Sequence, residues 1–131
     1  MQTRGFALLE ATAALFVVSV GVFGVVQFFE TGARELRAAH ESEIAARLLR
    51  NELAYLTALP FEQLDPRESE AFAMPAPEMD ALVNAAPRVR VSAHPEYPES
   101  LREVTVQIAW LTTHGRRADR TLSTLIARGG E

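Results

Sequence analysis

The segment from Gly5 to Phe29 reads GFALLEATAALFVVSVGVFGVVQFF, and it decides the architecture of the chain. Phe6–Phe29 holds 24 residues with a single formal charge, that of Glu10. A helix of this length spans about 36 Å, which is enough to cross the roughly 30 Å hydrocarbon layer of a bilayer. We therefore predict a membrane helix over residues 6–29.

Three interpretations of this segment differ at its ends. A cleaved secretory signal has an apolar stretch of roughly 7–15 residues, shorter than the one here, although Thr31-Gly32-Ala33 would serve as a cleavage sequence. A plain signal anchor leaves Glu10 without a partner, and a carboxylate at the bilayer centre costs roughly 2.5–3.5 kcal/mol. The third interpretation is a short leader joined to a helix that packs against other helices.

The hexapeptide at residues 5–10, Gly-Phe-Ala-Leu-Leu-Glu, resembles the cleavage signal of type IV prepilins and pseudopilins. In that family a short leader ends in Gly, the next Phe becomes the N-methylated mature terminus, and Glu is the fifth mature residue. The resemblance implies cleavage after Gly5, methylation of Phe6 and an assembly role for Glu10. It covers the N-terminus firmly and the remainder of the chain only loosely.

The assembly role implied for Glu10 is to pair with the new α-amine of Phe6 on a neighbouring subunit. Each group is costly in the membrane alone, and pairing neutralises both. The chain departs from the family at Arg4, the leader's only basic side chain, and at Ala7, where Ser or Thr is common. Gln27 stands where major pilins often have Pro, which favours a minor pilin or pseudopilin.

The resemblance also implies a function, a location and partners. The chain would be a structural subunit rather than an enzyme, held by one pass in the bacterial inner membrane with its head in the periplasm before entering a pilus or pseudopilus filament. The implied partners are other pilins or pseudopilins through the N-terminal helix, prepilin peptidase, the inner-membrane assembly platform and membrane lipid. Two alternatives stay open: a major pilin of a type IV filament, and a membrane-anchored periplasmic binding protein.

After the leader (1–5) and the membrane helix, residues 30–59 contain no proline and predict an amphipathic continuation of the helix. Its apolar residues near helical spacing are Leu36, Ile44, Leu48, Leu49, Leu53, Leu56 and Leu59. Such a face packs against a head domain while the charged residues stay solvated. We expect the helix to end at Leu59-Pro60, because the residue before proline is pushed away from helical geometry.

All seven prolines lie within residues 60–98, which predicts a connecting loop with one short helical turn around Glu78–Asn84. The pattern then changes to the alternation of strands, first near residues 88–93 and then within 99–131. The alternating apolar residues of the second strand are Val104, Val106, Ile108 and Trp110. A third strand is expected at Arg120–Arg128, after a hairpin connection over residues 113–119.

The predicted fold class is α+β: a long N-terminal helix packed against a small C-terminal antiparallel sheet, as in pilins. The strand–hairpin–strand ending is loosely similar to the heads of the minor pilin PilV and the type II secretion minor pseudopilin I. Trp110 is expected in the core between the sheet and the helix.

The composition gives no basis for catalysis or for a cofactor. There is no cysteine, and His40, His94 and His114 lack the spacing of a metal site. No nucleophile–base pair and no glycine-rich phosphate loop is recognisable. The net charge of −4, without a basic stripe, gives nucleic acid no electrostatic footprint. We therefore predict no catalytic residue, no metal site, no cofactor and no nucleic-acid partner.

Overall fold

The computed structural model describes residues 2–129, with one long helix and one antiparallel sheet. Helix α1 spans Gln2–Ala58. The sheet has the spatial order β1-β2-β3-β4, where the strands are β1 (Arg67–Ser69), β2 (Val83–Ala93), β3 (Leu101–Leu111) and β4 (Arg117–Ala127). The predicted α+β class, a long N-terminal helix packed against a small antiparallel sheet, is confirmed.

The chain divides into two compact units, with the boundary between Arg37 and Ala38. The N-terminal unit, residues 2–37, consists of the first part of α1 alone. The head, residues 38–129, contains the second part of α1 and the whole sheet. Within the head, the second part of α1 packs against the sheet.

The core of the head lies between one face of β3 and one face of α1. Alternate residues of β3 are buried: Val104, Val106, Ile108 and Trp110. On α1, Leu49 and Leu56 are buried and Leu53 packs against the same cluster at its margin. The alternation read from the sequence is therefore confirmed, as is the place of Trp110 in the core. Burying these side chains is the main favourable contribution to folding of the head.

The connection between β3 and β4 is shorter than the predicted hairpin loop over residues 113–119. The backbone N–H of Thr112 donates to the carbonyl of Arg116 at 2.7 Å, and that of Gly115 donates to the carbonyl of Thr112 at 2.8 Å. Gly115 has a φ of +72°, a left-handed conformation that glycine adopts without steric cost. This turn allows β4 to begin at Arg117, three residues before the predicted start at Arg120.

The segment over residues 60–98, predicted as a connecting loop, contains both β1 and β2. The expected helical turn is a 3-10 helix at Pro77–Ala81, and the strand expected near residues 88–93 begins at Val83. β1 carries no apolar alternation, so its sequence gives no strand signal. Its extended conformation depends on antiparallel pairing with β2, which is a tertiary contact.

Leu36 was predicted on the packing face of the helix, but it is 74% exposed and lies in the N-terminal unit. The first buried residue of α1 is Ile44. Helical spacing identifies which face of a helix is apolar, but it does not show where along the helix the contact with a partner begins.

Phe61 joins the end of α1 to the sheet. Pro60 removes a backbone N–H, α1 ends at Ala58, and the buried Phe61 ring follows. The guanidinium carbon of Arg102 lies 4.8 Å from the ring centroid and that of Arg128 lies 5.1 Å from it. Arg102 Nε also donates to the carbonyl of Leu64 at 3.0 Å. The ring and two guanidiniums thus connect the helix end with β3 and the residue that follows β4.

Replacing Phe61 with Leu is expected to lower the unfolding temperature of the head by about 5–10 °C, since both cation–π contacts are lost at a cost of about 1–2 kcal/mol. Thermal unfolding of the full chain in nonionic detergent, followed by near-ultraviolet circular dichroism, measures this change. Phe61→Tyr keeps the ring and is the matched control. Equal unfolding temperatures for the Leu and Tyr variants would contradict the prediction.

Candidate functional site

Residues 6–29 of the N-terminal unit form an apolar helix whose side chains are exposed all around. Large apolar side chains from Phe6 to Phe29 are between 47% and 75% exposed. Within α1 this stretch is long and apolar enough to cross a membrane, and none of it is buried in the protein. A helix that is apolar on all sides requires a lipid or protein environment. The membrane helix predicted over residues 6–29 is therefore consistent with the structure.

The polar side chains of this apolar stretch divide into two kinds. The hydroxyls of Thr12 and Ser19 donate to the carbonyls of Leu8 and Leu15, four residues earlier, at 2.5 Å and 2.7 Å. Such bonds satisfy hydroxyl groups inside the helix itself, as a lipid environment requires. For the Glu10 carboxylate, the described part of the chain provides neither a hydrogen-bond donor nor an ion pair. Among the polar side chains between residues 6 and 26, only that of Glu10 therefore has no hydrogen-bond or ion-pair partner in the described part of the chain.

Gly5, Phe6 and Glu10, the residues predicted as a processing and assembly site, lie together on the first turns of α1. Phe6 and Glu10 are four residues apart and therefore share one helix face. Phe6 is 72% exposed, and Glu10 is also exposed. A Cβ atom added to Gly5 would meet no atom within 4 Å. The three residues are accessible and close in sequence, but no contact within the described chain explains any of them.

Glu52 is a buried acid in the head, and it was not among the predicted site residues. Its side chain is buried among the core residues, with the residue only 1% exposed. Its two carboxylate oxygens accept hydrogen bonds from the backbone N–H groups of Ala73 and Met74 at 2.8 Å and 2.9 Å. Glu52 therefore holds the loop between β1 and β2 against α1. Its position could have been predicted from helical spacing: Glu52 lies three residues after Leu49 and four before Leu56, which places it on the buried face of the helix.

Glu41 is one of the charged residues of the 30–59 helix that were predicted to stay solvated, and the structure corrects this. Its Oε1 atom accepts a hydrogen bond from the hydroxyl of Thr113 at 2.9 Å, next to the β3–β4 turn. Its Oε2 atom and Nε1 of Trp110 are buried without a hydrogen-bond partner among the described residues. The side chain is partly buried because the turn after β3 reaches the helix, a contact that helical spacing cannot reveal.

The remaining titratable groups form no metal site in the part of the chain that the structure covers. Glu78 pairs with Arg47 at 3.2 Å, and Glu68 pairs with Arg90 at 3.2 Å. His94 stacks on Tyr97 with ring centroids 5.8 Å apart. These acids and this histidine are therefore engaged in local contacts at the surface of the head.

A depression of about 690 Å³ lies on the face of the sheet opposite α1. Its charged lining consists of Arg88, Arg117, Glu70 and Asp119, and Asp119 accepts a hydrogen bond from Gln107 at 3.4 Å. Two cations and two anions give this surface no net preference for a charged ligand.

Comparisons with family models, with curated proteins and with solved structures give no match for this chain.

Proposed function

We propose that this chain is a structural subunit, a minor pilin or pseudopilin, that assembles with other pilins to prime or tip a type IV pilus or a type II secretion pseudopilus. The observation that carries the proposal is that the Glu10 carboxylate lies within the apolar helix without a partner among the described residues. It is the one ionisable side chain of the exposed apolar helix over residues 6–29, and the described chain gives it neither a hydrogen-bond donor nor an ion pair. A carboxylate in that position needs a cation from another molecule.

The cation that we propose is the α-amine created when the leader is removed after Gly5. Cleavage makes Phe6 the first residue and places a positive charge at the start of the helix. The α-amine of one subunit then neutralises Glu10 of its neighbour, which removes two desolvation penalties and sets the axial register between subunits. N-methylation of Phe6 keeps this amine basic.

Gly5 supports the same proposal by a different argument. A glycine within a helix costs about 1 kcal/mol relative to alanine. Gly5 has no positive φ, and a Cβ at this position would have free space. Since the described fold gives no reason for glycine here, we attribute the residue to recognition by a processing enzyme, prepilin peptidase.

The remaining partners follow from the proposed assembly. Before assembly, membrane lipid surrounds residues 6–29 in the inner membrane, and the head lies in the periplasm. The inner-membrane assembly platform then brings the helix against those of other pilins or pseudopilins. No nucleic-acid partner forms part of the proposal.

The N-terminus of the mature protein tests the proposal directly. We expect mass spectrometry of the chain purified from its native membranes to show a first residue Phe6 carrying one methyl group. In cells that lack prepilin peptidase, the same measurement should show an unmethylated chain that retains residues 1–5. This control separates enzymatic processing from degradation.

Two other outcomes would contradict the proposal. A chain that begins at Met1 in wild-type cells would fit a membrane-anchored periplasmic binding protein. A chain that begins near Ala33 or Arg34 would indicate cleavage of a secretory signal after Thr31-Gly32-Ala33. Either result leaves Glu10 without the amine that the proposed assembly requires.

A further inference from the structure

The two edges of the sheet in the head differ in how well they are protected against pairing with an additional strand. At one edge, β1 has three residues, and the uncovered part of β2 contains Pro87 and a register shift between Val83 and Ala86. Short strands, prolines and irregular pairing all prevent the addition of another strand. At the other edge, β4 runs for eleven residues in continuous register with β3. β4 contains no proline, and Thr121–Ala127 carries no charge.

The backbone of β4 offers hydrogen-bonding groups along its outer side. The N–H of Arg128 donates to the carbonyl of Ser100 at 2.8 Å, and the carbonyl of Arg116 accepts from Thr112. In an antiparallel pair successive residues alternate in direction, so the even-numbered residues of β4 face β3. The odd-numbered residues, including Thr121 and Ser123, therefore direct their N–H and C=O groups away from the sheet. No strand among the described residues pairs with them.

A groove of about 200 Å³ lies between this edge and α1. Its apolar lining comes from Ala46, Leu49 and Leu122, and its charged lining consists of Arg50 and Arg120. Farther along β4, Leu125 is 55% exposed on the other face of the sheet, and Ile126 is half-buried on the face toward α1. The edge thus combines free backbone groups with an apolar surface at one end and guanidiniums at the other.

The guanidiniums at this edge outnumber the acids. Arg50, Arg116, Arg117 and Arg120 have no ion pair or side-chain hydrogen bond with any described residue, and all four are exposed. The one acid on β4, Asp119, shares the outer face of the sheet with Gln107 and Arg117, whereas Arg50 and Arg120 line the groove on the face toward α1, where β4 has no acid. This basic end belongs to a chain whose net charge is −4, so it is a local feature and not a general property of the surface.

We propose that the β4 edge binds an extended acidic segment of a partner protein, which adds to the sheet as a fifth, antiparallel strand. Backbone hydrogen bonds along β4 would supply affinity, and carboxylates near Arg117, Arg120 and Arg50 would fix the register. With antiparallel pairing, the N-terminal half of the partner segment is apolar and lies opposite Ile126 and Leu122. The acidic half then follows, opposite Arg120 and Arg117. The proposal concerns the head alone and does not depend on processing of the N-terminus.

A synthetic peptide tests the proposal on the full chain in nonionic detergent. The probe is fluorescein-labelled Val-Thr-Val-Thr-Ile-Thr-Glu-Thr-Ala-Glu with an amidated C-terminus, and binding is measured by fluorescence anisotropy. Its first Glu would pair opposite Arg120 and its last Glu opposite Arg117. A peptide with Gln in place of both Glu residues, and one with the order of residues reversed, are the matched probes. We expect each to bind about tenfold more weakly, as expected for the loss of two ion pairs.

Two variants and one matched control test the two components of the site, the backbone of β4 and the guanidiniums. Ser123→Pro removes an N–H that faces away from β3, and it should weaken binding at least about tenfold. Ser123→Ala loses the same hydroxyl contact with Thr105 but keeps the N–H, so it should bind as the wild type does. The double variant Arg117→Gln/Arg120→Gln removes the cation opposite each Glu, so it should weaken binding of the acidic peptide about tenfold and leave binding of the Gln peptide unchanged.

Three results would overturn the proposal. Equal binding of the acidic and Gln peptides would remove the charge argument. Equal affinities for the Pro and Ala variants, with unchanged thermal unfolding, would show that β4 does not pair with the peptide. Self-association of the chain that Ser123→Pro abolishes, without peptide binding, would assign the edge to a second copy of this chain instead. The mass of the mature N-terminus is unaffected by any of these outcomes, so the proposed function is tested separately.

Discussion

Replacing Glu10 with Ala or Val is expected to reduce incorporation of this chain into filaments to background, while cleavage after Gly5 continues. Cleavage depends on the leader and on the residues at the cut, which these changes leave intact. Assembly depends on the charge that Glu10 offers to the α-amine of a neighbouring Phe6. Without the carboxylate, that amine would enter the filament core unpaired, at a cost of about 3 kcal/mol or more.

Replacing Glu10 with Ala or Val should favour membrane insertion, so a loss of assembly would have a different cause. A carboxylate within a membrane helix costs roughly 2.5–3.5 kcal/mol at the bilayer centre and less near the interface. Removing it makes residence in the membrane more favourable. Failure of the variants to assemble therefore could not be attributed to failed insertion, and it would identify the lost charge pair as the cause.

Co-purification with partner pilins and recovery in sheared filaments or pseudopili measure incorporation. Glu30→Ala is the matched control, because Glu30 is an acid on the same helix that already pairs with Arg34 at 3.9 Å. It should assemble as the wild type does. Normal filament incorporation of Glu10→Val would contradict the pairing mechanism.

Replacing Glu52 with Ala is expected to destabilise the head by about 2 kcal/mol and to lower its unfolding temperature by about 10 °C. The change removes both acceptors of the Ala73 and Met74 N–H groups and leaves space in the core. The bonds are charge-assisted and hence stronger than neutral ones. The net destabilisation is smaller than the strength of the two bonds, because the Ala variant no longer has to desolvate a carboxylate on folding.

Thermal unfolding of the full chain in nonionic detergent gives the magnitude, with Glu52→Gln and Glu62→Ala as controls. The Gln side chain keeps one acceptor and should lose about half as much stability as the Ala variant. Glu62 is exposed, and its replacement should change the unfolding temperature by less than about 2 °C. A fully stable Glu52→Ala variant would show that the loop between β1 and β2 is held by other contacts.

Local sequence patterns were sufficient for the elements whose contacts repeat regularly along the chain. The apolar run from Phe6 to Phe29 predicted the first part of α1, because helix length and hydrophobicity are properties of consecutive residues. The alternation from Val104 to Trp110 predicted β3, because successive side chains of a strand point to opposite faces. Pro60 predicted the end of the helix because of its own ring geometry.

The same patterns were insufficient where a residue's role depends on a distant partner. β1 has no apolar period and is a strand only because it pairs with β2. Glu52 looked like one of many acids on an amphipathic helix, yet it binds two backbone groups more than twenty residues away. Leu36 has the right spacing for a packing face, but it is exposed.

The apolar helix, the single carboxylate within it at Glu10 and the α+β class of the chain could all be predicted from the order and spacing of neighbouring residues. Three features required the folded structure: which acids are buried, which strand forms the open edge, and that Arg50 and Arg120 line one groove beside that edge. These features join residues that are far apart in the chain. Their positions depend on how α1 and the sheet pack, and local periodicity carries no information about that packing.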